Sequence, residues 1–184
     1  YSCIGPGREG AKIKPDLLEF GGDLNKPFVV ADMSGNLLTA TAGTSFASPL
    51  VVHKLSEMLV QSEDVTPHMA RMLILHYADH DDSQPQEEYG FGISPESASD
   101  CLSCKENSVT SLYQGILRPT ELVSLPIFAP SVSKASGYVT VRWTIVAICS
   151  VDPNDTDEYT ASCIQDTFVP HEMKYLFRKD GVGS

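Results

Sequence analysis

A chain of 184 residues is long enough for one medium domain or one and a half. Its hydrophobic content of 42%, with 13 Gly and 12 Pro, is that of a globular protein and excludes collagenous, disulfide-dense and disordered classes. The net charge of -11, with acidic residues gathered at 79–106 and 152–158, argues against a phosphate-binding surface, so no nucleic acid partner is expected.

The longest apolar run, around Ile145 to Cys149, is far short of the roughly 20 residues that cross a bilayer, so no membrane segment is expected. The chain opens at Tyr1 with no basic-then-apolar leader, and the expectation is a fragment or a processed piece. Its five cysteines (Cys3, Cys101, Cys104, Cys149, Cys163) are odd in number and scattered. That pattern favours free thiols in a reducing, cytoplasmic setting over a secreted disulfide framework, with secretion left open. Cys101 and Cys104 form a C-x-x-C pair, but a four-ligand zinc site needs a second pair or a spaced His pair.

In chain order, residues 1–22 are rich in Gly and Pro and read as loop with at most a short extended piece. Phe28–Ala31 and Leu37–Thr41 are strand candidates joined through Ser34-Gly35-Asn36, which predicts a hairpin. It leads directly into Gly43-Thr44-Ser45. Val51, Val52, Leu55, Met58 and Leu59 then share one helical face, predicting a largely buried helix that ends near Gln61, with Pro49 early in it. Thr66 and Pro67 supply a cap and a first-turn proline for a second helix carrying Met69, Met72, Leu73 and His76. Residues 79–88 read as a loop, and Gly90-Phe91-Gly92-Ile93 as a turn into a short segment. Beyond about residue 100, the stretches Val109–Leu117, Glu121–Phe128, Tyr138–Val151 and Tyr159–Val169 are β-branched and aromatic, which predicts an antiparallel, sandwich-like module.

The segment that bears on chemistry is Gly43-Thr44-Ser45-Phe46-Ala47-Ser48-Pro49. It sets a serine hydroxyl where a loop enters a helix N-terminus, and unpaired N–H groups and the helix dipole favour negative charge there. The Ser45 N–H is a candidate donor to a tetrahedral oxyanion, and Gly43 would permit close approach of substrate or unusual backbone angles. The plainer reading of Thr44 and Ser45 is that they cap the helix.

This segment closely resembles the subtilase nucleophile signature G-T-S-x-A-x-P, which precedes that family's long central helix. Ser2-Cys3-Ile4-Gly5-Pro6 and Ile13-Lys14-Pro15-Asp16-Leu17 are similar to the S-x-x-G-P and K-P-D segments upstream of the subtilase serine, and Gly90-Phe91-Gly92 looks like the G-x-G that closes the catalytic domain. The resemblance covers about residues 1–100. Two positions depart from the pattern: Glu19-Phe20-Gly21 follows K-P-D where many subtilases have an apolar pair and then Ala-Pro-Gly, and Leu50 stands where His is frequent. K-P-D-L-L-E-F-G-G together with a β-extended C-terminal part is also similar to large bacterial subtilases associated with defence against phage.

The resemblance implies an α/β fold: the C-terminal part of a subtilisin-like three-layer domain over residues 1–100, followed by an antiparallel β-rich module over 101–184. It implies a serine endopeptidase working through an acyl-enzyme. Ser45 would be the nucleophile, its own backbone N–H would serve the oxyanion hole, and Gly43, Thr44 and Pro49 would support the motif. The catalytic Asp and His and the oxyanion Asn would lie upstream of this chain, on a preceding segment or a separate chain. The partner in the reaction is a peptide or protein substrate, with no cofactor and no metal.

None of the five histidines takes the place of the missing base. His53 lies two turns past Ser45 and reads as an ordinary helix residue. His76 and His80, at i, i+4 spacing beside Asp79 and Asp81, read as an exposed helix end before they read as metal ligands. The acidic stretch 152–158 lacks the Gly and terminal Glu of a calcium loop. The rival function is a non-catalytic, subtilase-like scaffold whose β-rich part binds a partner. Upstream D-[ST]-G and H-G-T segments would favour the enzyme.

Overall fold

The computed structural model describes residues 3–5, 13–127, 140–155 and 160–169. The expectations that fall on Ser2, Pro6, Phe128, Tyr138, Tyr159, residues 156–158 and the chain end at 181–184 lie outside the described residues.

The expected hairpin forms. Strand β1 (Phe28–Ala31) pairs antiparallel with β2 (Leu38–Thr41), Phe28 opposite Thr41 and Ala31 opposite Leu38. Its turn is built by Asp32: the Asp32 N–H donates to the Leu37 carbonyl at 2.9 Å, and the Asp32 carboxylate accepts the Ser34 hydroxyl at 2.8 Å. Gly35, at φ +70, takes the left-handed position that the turn requires. The Phe28 ring stacks on Phe46 at a centroid distance of 5.6 Å, which ties the hairpin to the start of the first helix.

Helix α1 (Thr44–Gln61) leads to α2 (Pro67–His76), then α3 (Gln86–Tyr89) and α4 (Ala98–Leu102). The α2 start follows the sequence signal: the Thr66 hydroxyl oxygen accepts the Met69 N–H at 3.3 Å and Pro67 opens the helix. Helix α4 was not foreseen, although its signal is present. Ser97 and Asp100 form a capping box, with the Ser97 N–H donating to Asp100 Oδ2 at 3.0 Å and the Asp100 N–H to Ser97 Oγ at 3.3 Å.

The core is small and lies where α1, α2 and α4 meet. It consists of Met58, Ala70, Leu73, Ile74, Leu75, Ala98 and Cys101, with Leu17, Val51, Leu55 and Val146 packed against it. The expectation of a largely buried first helix needs correction. Met58 is the fully buried residue of α1, while Val52 is 56% and Val60 85% exposed. The periodicity was real, but among the described residues α2 and α4 cover one side of a helix whose apolar residues extend around much of its surface. On α2 the buried face is turned from the expected one: Ala70, Leu73, Ile74 and Leu75 are buried, and Met69 and Met72 sit at its margin.

The sandwich-like module expected over residues 101–184 falls in part outside the described residues. Among the described residues beyond Leu102 no strand forms, and the one pairing is an isolated antiparallel bridge between Val151 and Thr160. β-branched composition expresses a fit to a pleated, paired surface rather than an intrinsic backbone state. Without a ladder the described residues of these stretches take no regular secondary structure, and Ile116, Leu122, Val123 and Ile148 are in solvent.

Residues 16–19, by contrast, are held as a short extended piece. The Leu18 N–H donates to the Gly92 carbonyl at 2.9 Å, the Ser94 N–H to the Leu18 carbonyl at 2.8 Å, and the Phe91 N–H to the Asp16 carbonyl at 2.9 Å. K-P-D is thereby laid beside the G-x-G segment.

Candidate active site at the α1 N-terminus

Ser45 occupies the second residue of α1 and is exposed. The N-cap position belongs to Gly43, and no side-chain oxygen caps the helix, so neither Thr44 nor Ser45 spends its hydroxyl on capping. The plainer reading of this pair fails on that geometry. No acidic residue sits in the first turn, so the positive end of the helix dipole is uncompensated there. The N–H groups of the first turn have no intrahelical acceptor, and the Phe46 N–H is taken by the Gly43 carbonyl at 3.0 Å.

Gly43 is extended, at φ 165 and ψ 157, a conformation open to any residue. The expectation of unusual backbone angles is therefore corrected. A Cβ placed there would meet the Phe46 ring at 3.8 Å and nothing closer, so the space beside the serine is open to another molecule. The Gly43 N–H donates to the buried Gly21 carbonyl at 2.8 Å, anchoring the loop two residues before Ser45. Pro49 lies inside α1 and has no N–H, so the Ser45 carbonyl lacks its usual i+4 donor.

A groove of about 460 Å³ runs beside this helix end, with Leu17, Leu18 and Glu19 on one wall and Thr44, Ala47 and Val51 on the other. Below it lies a polar cluster that sequence reasoning missed. Lys54 on α1 forms an ion pair with Glu19, their side chains 14% and 13% exposed, and Lys54 Nζ also donates to the buried Ser94 hydroxyl at 3.2 Å. Glu19 is the residue that departs from the apolar pair after K-P-D. Its charge has a partner 35 positions away, a separation that no periodic pattern reports.

Removing one member of such a pair leaves the other charge in a poorly hydrated place. Lys54→Ala is therefore expected to destabilise the chain by about 3 kcal/mol, whereas the double change Glu19→Gln, Lys54→Met costs much less. Urea unfolding midpoints of the two variants give the comparison.

Three of the described histidines, His53, His76 and His80, have partners away from Ser45. His53 Nε2 lies 3.4 Å from Glu57 on the solvent face of α1, about 12 Å along the helix from Ser45 at the usual rise per residue. His76 Nδ1 is 3.0 Å from the Thr144 hydroxyl, and His80 Nε2 is 3.1 Å from Asp82 rather than Asp79 or Asp81. His68 stands exposed on the first turn of α2. All five cysteines are free thiols. Cys101 is buried in the core, and burial pushes its pKa up to about 11, while Cys104 is exposed and lowered by a hydrogen bond from the Thr110 side chain. Among the described residues no group of three or more His, Cys, Asp or Glu is placed to hold a metal ion, and no helix is long and apolar enough to cross a membrane.

A hairpin thus delivers G-T-S-x-A-x-P into a long helix, and K-P-D is laid against G-x-G. The profile of the subtilase family matches residues 1–92, and the chain belongs to that family. No curated protein and no solved structure matches it.

Proposed function

We propose that this chain supplies the nucleophile half of a subtilisin-type serine endopeptidase. The observation that carries the reading is the Ser45 hydroxyl, exposed at the acid-free positive end of α1, not engaged as a cap, and inside the family's signature. Ser45 Oγ attacks the scissile carbonyl of a peptide, and an acyl-enzyme forms and is hydrolysed. The oxyanion is held by the Ser45 N–H and by an Asn supplied from elsewhere, one such donor being worth about 3 kcal/mol in the transition state.

The histidine that takes the Ser45 proton, and the aspartate that orients it, come from a segment preceding this chain or from a separate chain. That segment packs on the open side of α1, where Val52, Leu59 and Val60 are exposed. Residues 101–184 form a C-terminal extension of the catalytic unit.

A fluorophosphonate probe tests this reading, because it labels only a serine whose proton has a positioned acceptor. The 184-residue chain alone should label poorly. The protein with its upstream Asp, His and Asn should label on Ser45, read by peptide mapping. A full protein that contains those three groups and leaves Ser45 unlabelled would be the binding scaffold instead. Strong labelling of the chain alone would bring His53, His68 or His76 back as the base.

A further inference from the structure

Among the described residues, hydrogen bonds from the C-terminal stretch reach the helical unit mainly at the C-terminal end of α2. The His76 ring, half-buried on the last turn of α2, sits 3.0 Å from the Thr144 hydroxyl, 68 positions further along the chain. Arg142 Nη2 donates to the carbonyl of buried Ala78 at 3.4 Å, just past the helix end. Val146 packs against the core, and Tyr77 on the same turn shares a 2.7 Å hydrogen bond with Thr110. Residues 142–146 thus meet the end of α2 around one imidazole.

We propose that the contact between His76 and the 142–146 stretch is a proton-operated clasp, closed when the imidazole is neutral and opened by acid. Thr144 alone does not decide it, because a hydroxyl reverses its role and bonds either form of the ring. Two other features decide it. The docked ring is half-buried, and Arg142, held at the Ala78 carbonyl just past the helix end and two residues before Thr144, sets a positive charge beside it that disfavours an imidazolium. Both act in the same direction, holding His76 below its ordinary pKa of 6.5, burial first and Arg142 second.

Among the described residues Arg142 is the charged group that bears on the ring. Tyr77 meets it edge-on at 5.2 Å between centroids, Arg71 on α2 is directed to Asp16 at 3.8 Å, and beyond the helix His80 is occupied by Asp82. Asp79 follows on the same turn, with its backbone paired to Ile93. A group whose pKa is depressed in the docked state stabilises that state above its free value and loses the effect as pH falls through the docked value. The clasp is therefore closed above about pH 6.5 and weakens below it.

The chain carries its own reporter. Its single tryptophan, Trp143, lies between Arg142 and Thr144, stacked on Phe168 at 5.7 Å with its indole N–H donating to Asp166 at 2.8 Å. Trp143 is 51% exposed with the clasp closed, so the expected signal is a change in its emission, rather than a large gain in exposure, as the full chain is taken from about pH 7.5 to about pH 5. The midpoint should lie below 6.5. His76→Gln, which keeps a hydrogen-bonding side chain but does not titrate, should flatten the curve with the clasp closed throughout. Arg142→Met should move the midpoint upward. His80→Gln and Asp166→Asn should leave the midpoint where it is and thereby exclude their own titrations. A flat trace for the unmodified chain, or an unchanged transition in His76→Gln, overturns the proposal. Neither outcome bears on Ser45.

Discussion

Ser45→Ala is expected to lower peptide hydrolysis by about 10⁶-fold in the protein that carries the upstream Asp, His and Asn, since the members of a triad act as a unit and no residual nucleophile remains. The surviving rate comes from substrate binding and the oxyanion donors, and the Ser45 N–H persists in the alanine protein. The fold should not register the change. Ser45 is exposed and caps nothing, so removing its hydroxyl leaves no buried partner unsatisfied and shifts stability by at most about 0.5 kcal/mol. Turnover of a chromogenic peptide and a urea melt on the same preparation separate the two effects. Undiminished hydrolysis by Ser45→Ala would remove Ser45 from the mechanism, and a parallel loss of stability would mean that the hydroxyl has a structural task the geometry does not reveal.

The features that were legible in the sequence are those set by local chemistry. Thr66-Pro67 announced the start of α2, Ser34-Gly35-Asn36 announced the hairpin turn, and β1 falls on Phe28–Ala31 as the pattern required. Each depends on residues within one or two turns of chain. The short helix α4 had the same kind of signal in Ser97 and Asp100, but its 5 residues are too few to show a helical period.

What stayed hidden depends on pairing across long separations. Glu19 departs from the motif's apolar pattern, and its partner Lys54 lies 35 positions away. The stretches after residue 102 carry the composition of strands, yet strands exist only where a second edge meets the first, and composition does not say whether that edge is present. Helix α1 shows the same limit. Its apolar period is correct, while how much of it is covered depends on neighbours its own residues do not name. For the site, Gly43-Thr44-Ser45 was readable as a loop entering a helix. Whether its hydroxyls were engaged as caps was a question only the geometry of Gly43 could answer.

Gly90→Ala is expected to be the most destabilising single change of backbone character in the described residues. Gly90 ends α3 at φ +61 and ψ -128, a region that side chains avoid, at a typical cost of about 1–3 kcal/mol. Space is the larger problem. A Cβ at this position would lie 2.0 Å from the Pro15 carbonyl oxygen and 2.8 Å from that of Asp16, and both are backbone atoms. They cannot swing aside as a side chain would, because the Phe91 N–H holds the Asp16 carbonyl at 2.9 Å. The K-P-D segment would have to separate from the G-x-G segment, taking with it the Leu18 pairing and loosening the Glu19–Lys54 bond that fastens this layer to α1. We expect a loss of about 4 kcal/mol or more, a large part of the stability a domain of this size possesses. Gly35→Ala is the control, since it shares a positive φ of +70 but meets nothing within 4 Å, and should cost about 1 kcal/mol. Chemical denaturation of both variants separates backbone conformation from crowding. Equal losses at the two glycines would mean that the close approach of Pro15 to Gly90 does not persist in solution.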